Sequence, residues 1–170
     1  ISVDLIFGLP EQTMDDWKRT LDEVLKLNPE HISAYALKVE KGTKFASQFV
    51  EADGDLQADM YLLLSSVLEK EGFIHYEISN FAKPGYESKH NLLYWKNDNT
   101  LGLGLSAASY IEGNRKKNLV GLLEYIDRIE KGLSVVSEKN ILTRQERERE
   151  DLMLGLRLKP GVKAERIWEL

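Results

Sequence analysis

The apolar period of the chain changes twice within its first forty residues, and that change dictates a local fold. Ile1-Ser2-Val3-Asp4-Leu5-Ile6-Phe7 is a β-rich, largely apolar run, and Gly8-Leu9-Pro10 breaks it as at the end of a buried strand. Thr13 stands three residues before Asp16, the spacing of a capping box. Behind it Trp17, Leu21, Val24 and Leu25 recur at i, i+4, i+7 and i+8, one face of a helix. Asn28-Pro29 stops that helix, and residues 32–39 read as a second strand. Strand, helix and strand at this spacing form a βαβ unit with parallel strands, so the chain is predicted to be α/β.

Further along, the signals are mixed α and β. Asp55 is placed to cap a long helix running to Lys70, with Gly72 as its terminating glycine. Residues 73–78 read as a short strand. A loop-rich stretch at residues 80–85 leads to a glycine-bearing apolar segment at 101–111. Residues 118–131 are predicted to form an amphipathic helix with Leu122, Leu123, Ile126 and Ile129 turned inward. Thr143 and Glu146 form a true capping box for a last helix through Leu152, Met153 and Leu156, ended by Pro160-Gly161. A soft boundary near residues 42–55 separates the βαβ part from the rest. The chain opens inside an apolar run without an initiator Met and closes on an unfinished amphipathic pattern, Arg166 to Leu170. It therefore reads as a segment of a longer protein, and a motif missing here need not be missing from the parent.

Charge and rare residues narrow the function. Against 28 Asp+Glu there are 23 Lys+Arg, a net −5, so no basic excess exists to neutralise nucleic-acid phosphates. No apolar run approaches the ~20 residues of a membrane span, and no signal peptide is visible, which predicts a cytoplasmic protein. The 170 residues contain no Cys, hence no disulfide, thiol nucleophile or iron–sulfur ligand. Three well-separated His residues make a His-rich metal site a poor expectation.

Few motifs carry chemistry. Asp4 is a carboxylate inside an apolar strand and must be paired or exposed, because burying it bare is expensive. Polar residues toward the C-terminal ends of parallel strands tend to face the ligand. Gly102-x-Gly104-x-x-Ala107 matches a dinucleotide-binding pattern formally, but it neither follows a strand of a βαβ unit nor opens a helix. Glycines there are better read as points of close backbone approach. His90-Asn-Leu-Leu-Tyr94-Trp95 is dense in polar aromatics, a composition that suits a planar macrocycle with His90 as an axial ligand, and equally a loop-stapling cluster. His31, at the entrance of a strand, reads as a capping or surface residue. The charged run at residues 144–151 reads as a solvated helix face.

Several of these segments together resemble one family. Val3-Asp-Leu-Ile-Phe-Gly-Leu-Pro-Glu-Gln-Thr13 closely resembles a segment of radical-SAM enzymes related to oxygen-independent coproporphyrinogen III oxidase. Asn28 to Tyr35, Tyr76-Glu-Ile-Ser-Asn-Phe-Ala82 and His90 to Trp95 are similar to its HemW-like, haem-chaperone branch, and residues 143–161 to the start of the family's C-terminal domain. The resemblance implies the C-terminal part of a partial (β/α) barrel over residues 1–45. A mixed α+β, coproporphyrinogen-oxidase-like C-terminal region would follow over 46–170. It further implies a parent whose missing N-terminal half holds a 4Fe-4S cluster and S-adenosylmethionine on three cysteines. By position, Asp4 matches a residue contacting the nucleoside part of that cofactor. Lys38 and Ala108 align with two further cofactor contacts, made through backbone or van der Waals contact. His90, Tyr94 and Trp95 match the haem-associated motif of the branch.

The implied function is haem binding and transfer to an acceptor protein. The alternative is radical oxidative decarboxylation of porphyrinogen propionates to vinyl groups. Two residues depart from the HemW pattern. Ala108 replaces the usual His and leans toward the oxidases, while Glu11 replaces a common Gly in a turn. Without the cysteines, this segment alone is expected to hold no cluster and to do no radical chemistry. A first strand without its preceding barrel neighbour also leaves an unpaired edge open to dimerisation.

Overall fold

In a computed structural model that describes residues 1–48 and 51–163, the opening run forms β1 (Ser2–Phe7) and the capped segment forms α1 (Met14–Lys26). The predicted capping box is present. Thr13 Oγ1 accepts from the Asp16 backbone N–H at 3.1 Å, and the Asp16 carboxylate accepts from the Thr13 N–H at 3.0 Å. Asn28, at φ 49°, takes the left-handed turn that directs the chain into β2 (His31–Ala36). A short α2 (Lys44–Ser47) precedes α3 (Gly54–Lys70). The cap of α3 is Asp53 rather than Asp55, because the Asp53 carboxylate reaches two free backbone donors, those of Asp55 and Leu56.

β1 and β2 are parallel and in register from Ser2↔His31 to Phe7↔Ala36, as the βαβ reading requires. The hairpin of β3 (Ile74–Glu77) and β4 (Asn80–Ala82) completes a four-stranded sheet in the order β1-β2-β4-β3. Residues 80–82, expected to be loop, are a strand. Three residues carry too little period to read as one, and their strand geometry comes from antiparallel pairing on both sides, to β2 and to β3. β1 stands at the edge of the sheet.

α1 and α3 cover one face of this sheet. Phe7, Trp17, Leu21, Ile32, Met60, Leu64 and Phe81 fill the space between, with Val3 and Leu5 packed against them. Trp17 is fully buried, and its indole N–H donates to the Met60 carbonyl at 2.9 Å, fastening α1 to α3.

The chain divides into two compact units, Ile1–Ser88 and Lys89–Leu170, so the barrel end expected near residue 45 lies within the first. The second unit opens with α4 (Lys89–Trp95). An antiparallel sheet follows, in the order β5 (Ala108–Ile111), β6 (Asn114–Asn118), β7 (Val136–Ile141). Glu112 and Gly113 form the two-residue β5–β6 turn, both at positive φ (51° and 79°), the geometry that matches strand twist. Between β6 and β7 lies α5 (Leu122–Glu130), and α6 (Arg144–Gly155) starts at the predicted Thr143–Glu146 capping box.

Gly102 is a point of close approach, as expected. A Cβ there would lie 2.2 Å from the Ala108 carbonyl oxygen. The helix expected at 118–131 forms only over Leu122–Glu130, with Asn118 ending β6, and its apolar face is not inward: Leu123 is 83% and Leu122 58% exposed. Periodicity reports that a helix owns an apolar face, not that its own unit covers it. Among the described residues no helix is long and apolar enough to cross a membrane. The helix expected at Arg166–Leu170 lies outside the described residues.

Candidate functional site

Strand alternation sends Val3, Leu5 and Phe7 toward the helices and Ser2, Asp4 and Ile6 to the opposite face. On that face the register sets Asp4 beside Ser33, Ser33 beside Asn80, and Asn80 beside Glu77, a polar row across all four strands. Asp4 is exposed, which resolves the cost of a carboxylate in an apolar strand. Ser33, Asn80 and Glu77 are buried.

Glu77 explains much of the Tyr76–Ala82 motif. Its side chain is 1% exposed, and Oε1 accepts from the Ser79 backbone N–H at 2.9 Å and from the Asn80 amide, locking the β3–β4 turn. Glu77 Oε2 and Asn80 Oδ1 are buried without a hydrogen-bond partner. The row therefore retains acceptor capacity for a donor from outside it.

His31 corrects an expectation. It is not a surface residue but buried, at 8% exposure. Its Nδ1 meets Ser2 Oγ at 3.1 Å and its Nε2 meets Tyr76 Oη at 2.8 Å. Burial pushes its pKa below the ordinary 6.5, only partly offset by the Asp4 and Glu77 carboxylates. The unfolded chain therefore takes up this proton first as pH falls. The stabilisation is full above pH 6.5 and declines below it. Urea midpoints of the intact protein should fall between about pH 7.5 and pH 5, and fall less in His31→Gln. Equal slopes would show that His31 is not the group responsible.

Lys38 follows β2, near the C-terminal ends of the parallel strands, where the Leu37 N–H bonds to the Phe7 carbonyl at 2.8 Å. Its ammonium points to solvent, 82% exposed, and pairs with Glu40 at 2.7 Å. A role through its backbone is compatible with that placement.

In the second unit, the six-residue aromatic motif is split by helix geometry. His90 and Tyr94, four apart on α4, share a face. His90 Nε2 lies 3.0 Å from Tyr94 Oη, with the rings edge to face, and both side chains are exposed. Trp95 turns elsewhere. The Arg157 guanidinium sits 4.4 Å over its ring, and the indole nitrogen is buried without a partner. Trp95 is thus a packing contact of the α6 end and does not join the His90–Tyr94 pair.

Tyr94 and Ala108 come together instead. Both line a cleft of about 450 Å³, floored by one face of the β5–β6–β7 sheet. Register and alternation put Ala108, Tyr110, Arg115 and Lys117 on that floor, opposite Glu138 and Asn140 of β7. Asn97, just beyond α4, donates to Tyr110 Oη at 3.2 Å and to Asp151 Oδ1 at 2.8 Å, bracing the wall. Among the described residues, no three His, Cys, Asp or Glu side chains are grouped to hold a metal ion.

The haem chaperone HemW of Bacillus subtilis is 41% identical to the chain over 175 residues, 99% of the chain and 46% of that protein. The chain resembles this protein over nearly all its own length. HemW of Lactococcus lactis is 37% identical over 98% of the chain and 45% of its own length. No family model matches the chain. Among solved structures, the radical-SAM enzyme coproporphyrinogen III oxidase (HemN) from Escherichia coli superposes with a TM-score of 0.79 at 22% identity. The match covers 99% of the chain and 43% of that enzyme, so the two share a fold there. The chain thus spans less than half the length of these relatives.

Of the six residues predicted for cofactors, Asp4 and Lys38 lie in the first unit, and Ala108, His90, Tyr94 and Trp95 in the second. Sequence reasoning missed Glu77 and Asn80, which it met only as family signature, and the basic floor of the cleft. The signal for the floor is Arg115-Lys-Lys117, starting two residues after the hairpin glycine Gly113, where alternate residues share a face.

Proposed function

We propose that the chain is the cofactor-flanking and C-terminal portion of a HemW-like protein that binds haem and passes it to an acceptor protein. In that reading residues 1–45 complete a radical-SAM barrel and residues 46–170 belong to the C-terminal region. The observation that carries the proposal is the His90–Tyr94 pair, an exposed imidazole and phenol on one helix face. An exposed imidazole is a ready axial ligand for haem iron.

Asp4 is the residue that fits S-adenosylmethionine. Its exposed carboxylate, next to Ser33 on the sheet face away from the helices, can accept from the ribose hydroxyls. Bound there, that cofactor would supply the hydrogen-abstracting chemistry of radical-SAM proteins. The 170 residues contain no Cys, so the 4Fe-4S cluster would be held by residues outside them.

Titrating the intact protein with haem tests the proposal through the Soret band. His90→Ala is expected to weaken binding at least about tenfold, the loss of one metal–ligand contact, and to shift the band. Unchanged affinity and spectrum would remove His90 as the ligand. Ala108 favours the oxidase reading, since the resemblance places His there in HemW. Anaerobic turnover of a porphyrinogen by the cluster-loaded protein would decide for that reading.

A further inference from the structure

The cleft over the second sheet has a charge at odds with the chain that builds it. The chain as a whole is acidic, at −5. The cleft lining carries Arg115, Lys116 and Lys117 against Asp98 and Glu138. We propose that this cleft recognises the propionate carboxylates of a tetrapyrrole, with Lys117 as the receiving cation and Tyr94 and Leu154 flanking the ring. The inference rests on the haem reading above and adds to it the site and the groups that read the ligand's acid side chains.

The two floor cations have different roles because their surroundings differ. Arg115 is engaged: its guanidinium lies 5.7 Å over the Tyr110 ring and pairs with Glu150 at 2.9 Å. That arrangement fixes Tyr110 and the α6 wall rather than offering a free charge. Lys117 lies on the same sheet face, two residues on, and takes part in none of the ion pairs among the described residues. Glu138 stands opposite it in the ladder without pairing to it. That carboxylate limits the anionic charge the cleft accepts. A compact ammonium on a flexible stem suits a carboxylate that arrives on a two-carbon arm. Tyr94 connects this floor to His90, since one phenol both lines the cleft and meets the imidazole at 3.0 Å. Iron at His90 and acid groups over the floor are thus served by one continuous surface of the second unit. At about 450 Å³ the cleft falls in the range that encloses most of a drug-sized ligand.

The test compares haem with its propionate dimethyl ester, titrated into the intact protein as wild type, Lys117→Gln and Lys117→Arg. The wild type should prefer the free acid by about tenfold, the worth of one charge-assisted hydrogen bond. In Lys117→Gln the free acid should weaken to the level of the ester while the ester is unaffected, and Lys117→Arg should restore most of the preference. An equal preference in wild type and Lys117→Gln overturns the inference, even if haem binds well. Loss of S-adenosylmethionine affinity in Lys117→Gln with haem unaffected also overturns it, making the cleft a nucleoside site. No haem binding by the wild type overturns the haem reading itself, and the inference with it. Lys117 is exposed, and circular dichroism of the variant should match the wild type.

Discussion

Trp17→Ala is expected to destabilise the intact protein's first unit by about 3–5 kcal/mol, the range for deleting a buried large aromatic. The indole is fully buried between Phe7, at 5.4 Å between ring centroids, and α3. Two losses add. The first is the cavity left by a bicyclic ring. The second is the hydrogen bond to the Met60 carbonyl, which the alanine variant leaves without its donor. Domains of this size hold only about 5–15 kcal/mol in all, so this one change consumes a large share. Urea unfolding followed by far-ultraviolet circular dichroism measures it. Trp17→Phe helps to separate the two contributions, because it keeps a six-membered ring in the core while removing the N–H with the pyrrole part of the indole. A phenylalanine variant as unstable as the alanine variant would assign the loss to the hydrogen bond rather than to packing.

Glu77→Ala should cost about 2 kcal/mol or more, and Glu77→Gln much less. The alanine variant strands a half-buried donor, the Ser79 N–H, and a buried one, the Asn80 amide, the latter at about 1–3 kcal/mol. Against this stands one gain: the orphaned Oε2 disappears. Two lost partners outweigh one relieved acceptor, which fixes the sign. Glutamine keeps an acceptor for both donors, so its variant isolates what the carboxyl group adds beyond those two hydrogen bonds. Equal costs for alanine and glutamine would show that neutral hydrogen bonding at the turn contributes nothing. Thermal denaturation of the intact protein at neutral pH reads both.

The first unit was legible where two periods met clear punctuation. β1, α1 and β2 follow from residues 1–36 because Gly8, Pro10, Thr13 and Pro29 mark every change from period 2 to period 3.6. β4 was not legible: Asn80-Phe81-Ala82 has no intrinsic strand signal, and only its place between β2 and β3 makes it one. Asp4 stood out because a lone carboxylate in an apolar run is rare. The rest of its row, Ser33, Asn80 and Glu77, could not be assembled, because sheet neighbours on strands distant in sequence, such as Ser33 and Asn80, share no local pattern. The basic floor stayed hidden for another reason. Arg115-Lys-Lys117 reads as a charge run until pairing with β5 and β7 shows that the first and third residues face the same way. His90 and Trp95 looked like one motif, and the α4 turn separates them.

If His90 binds haem iron as proposed, its contact with Tyr94 bears on release as well as on capture. A carrier must surrender its cargo, and a histidine with no other partner would depend on water alone to take the nitrogen that iron leaves. Here the phenol waits 3.0 Å away, so the imidazole exchanges one partner for another instead of losing one. The exchange costs about 1 kcal/mol on binding and returns it on departure. Affinity would be trimmed slightly by a competitor that travels with the protein. In the proposed haem transfer such a competitor would favour release without requiring the acceptor to pull.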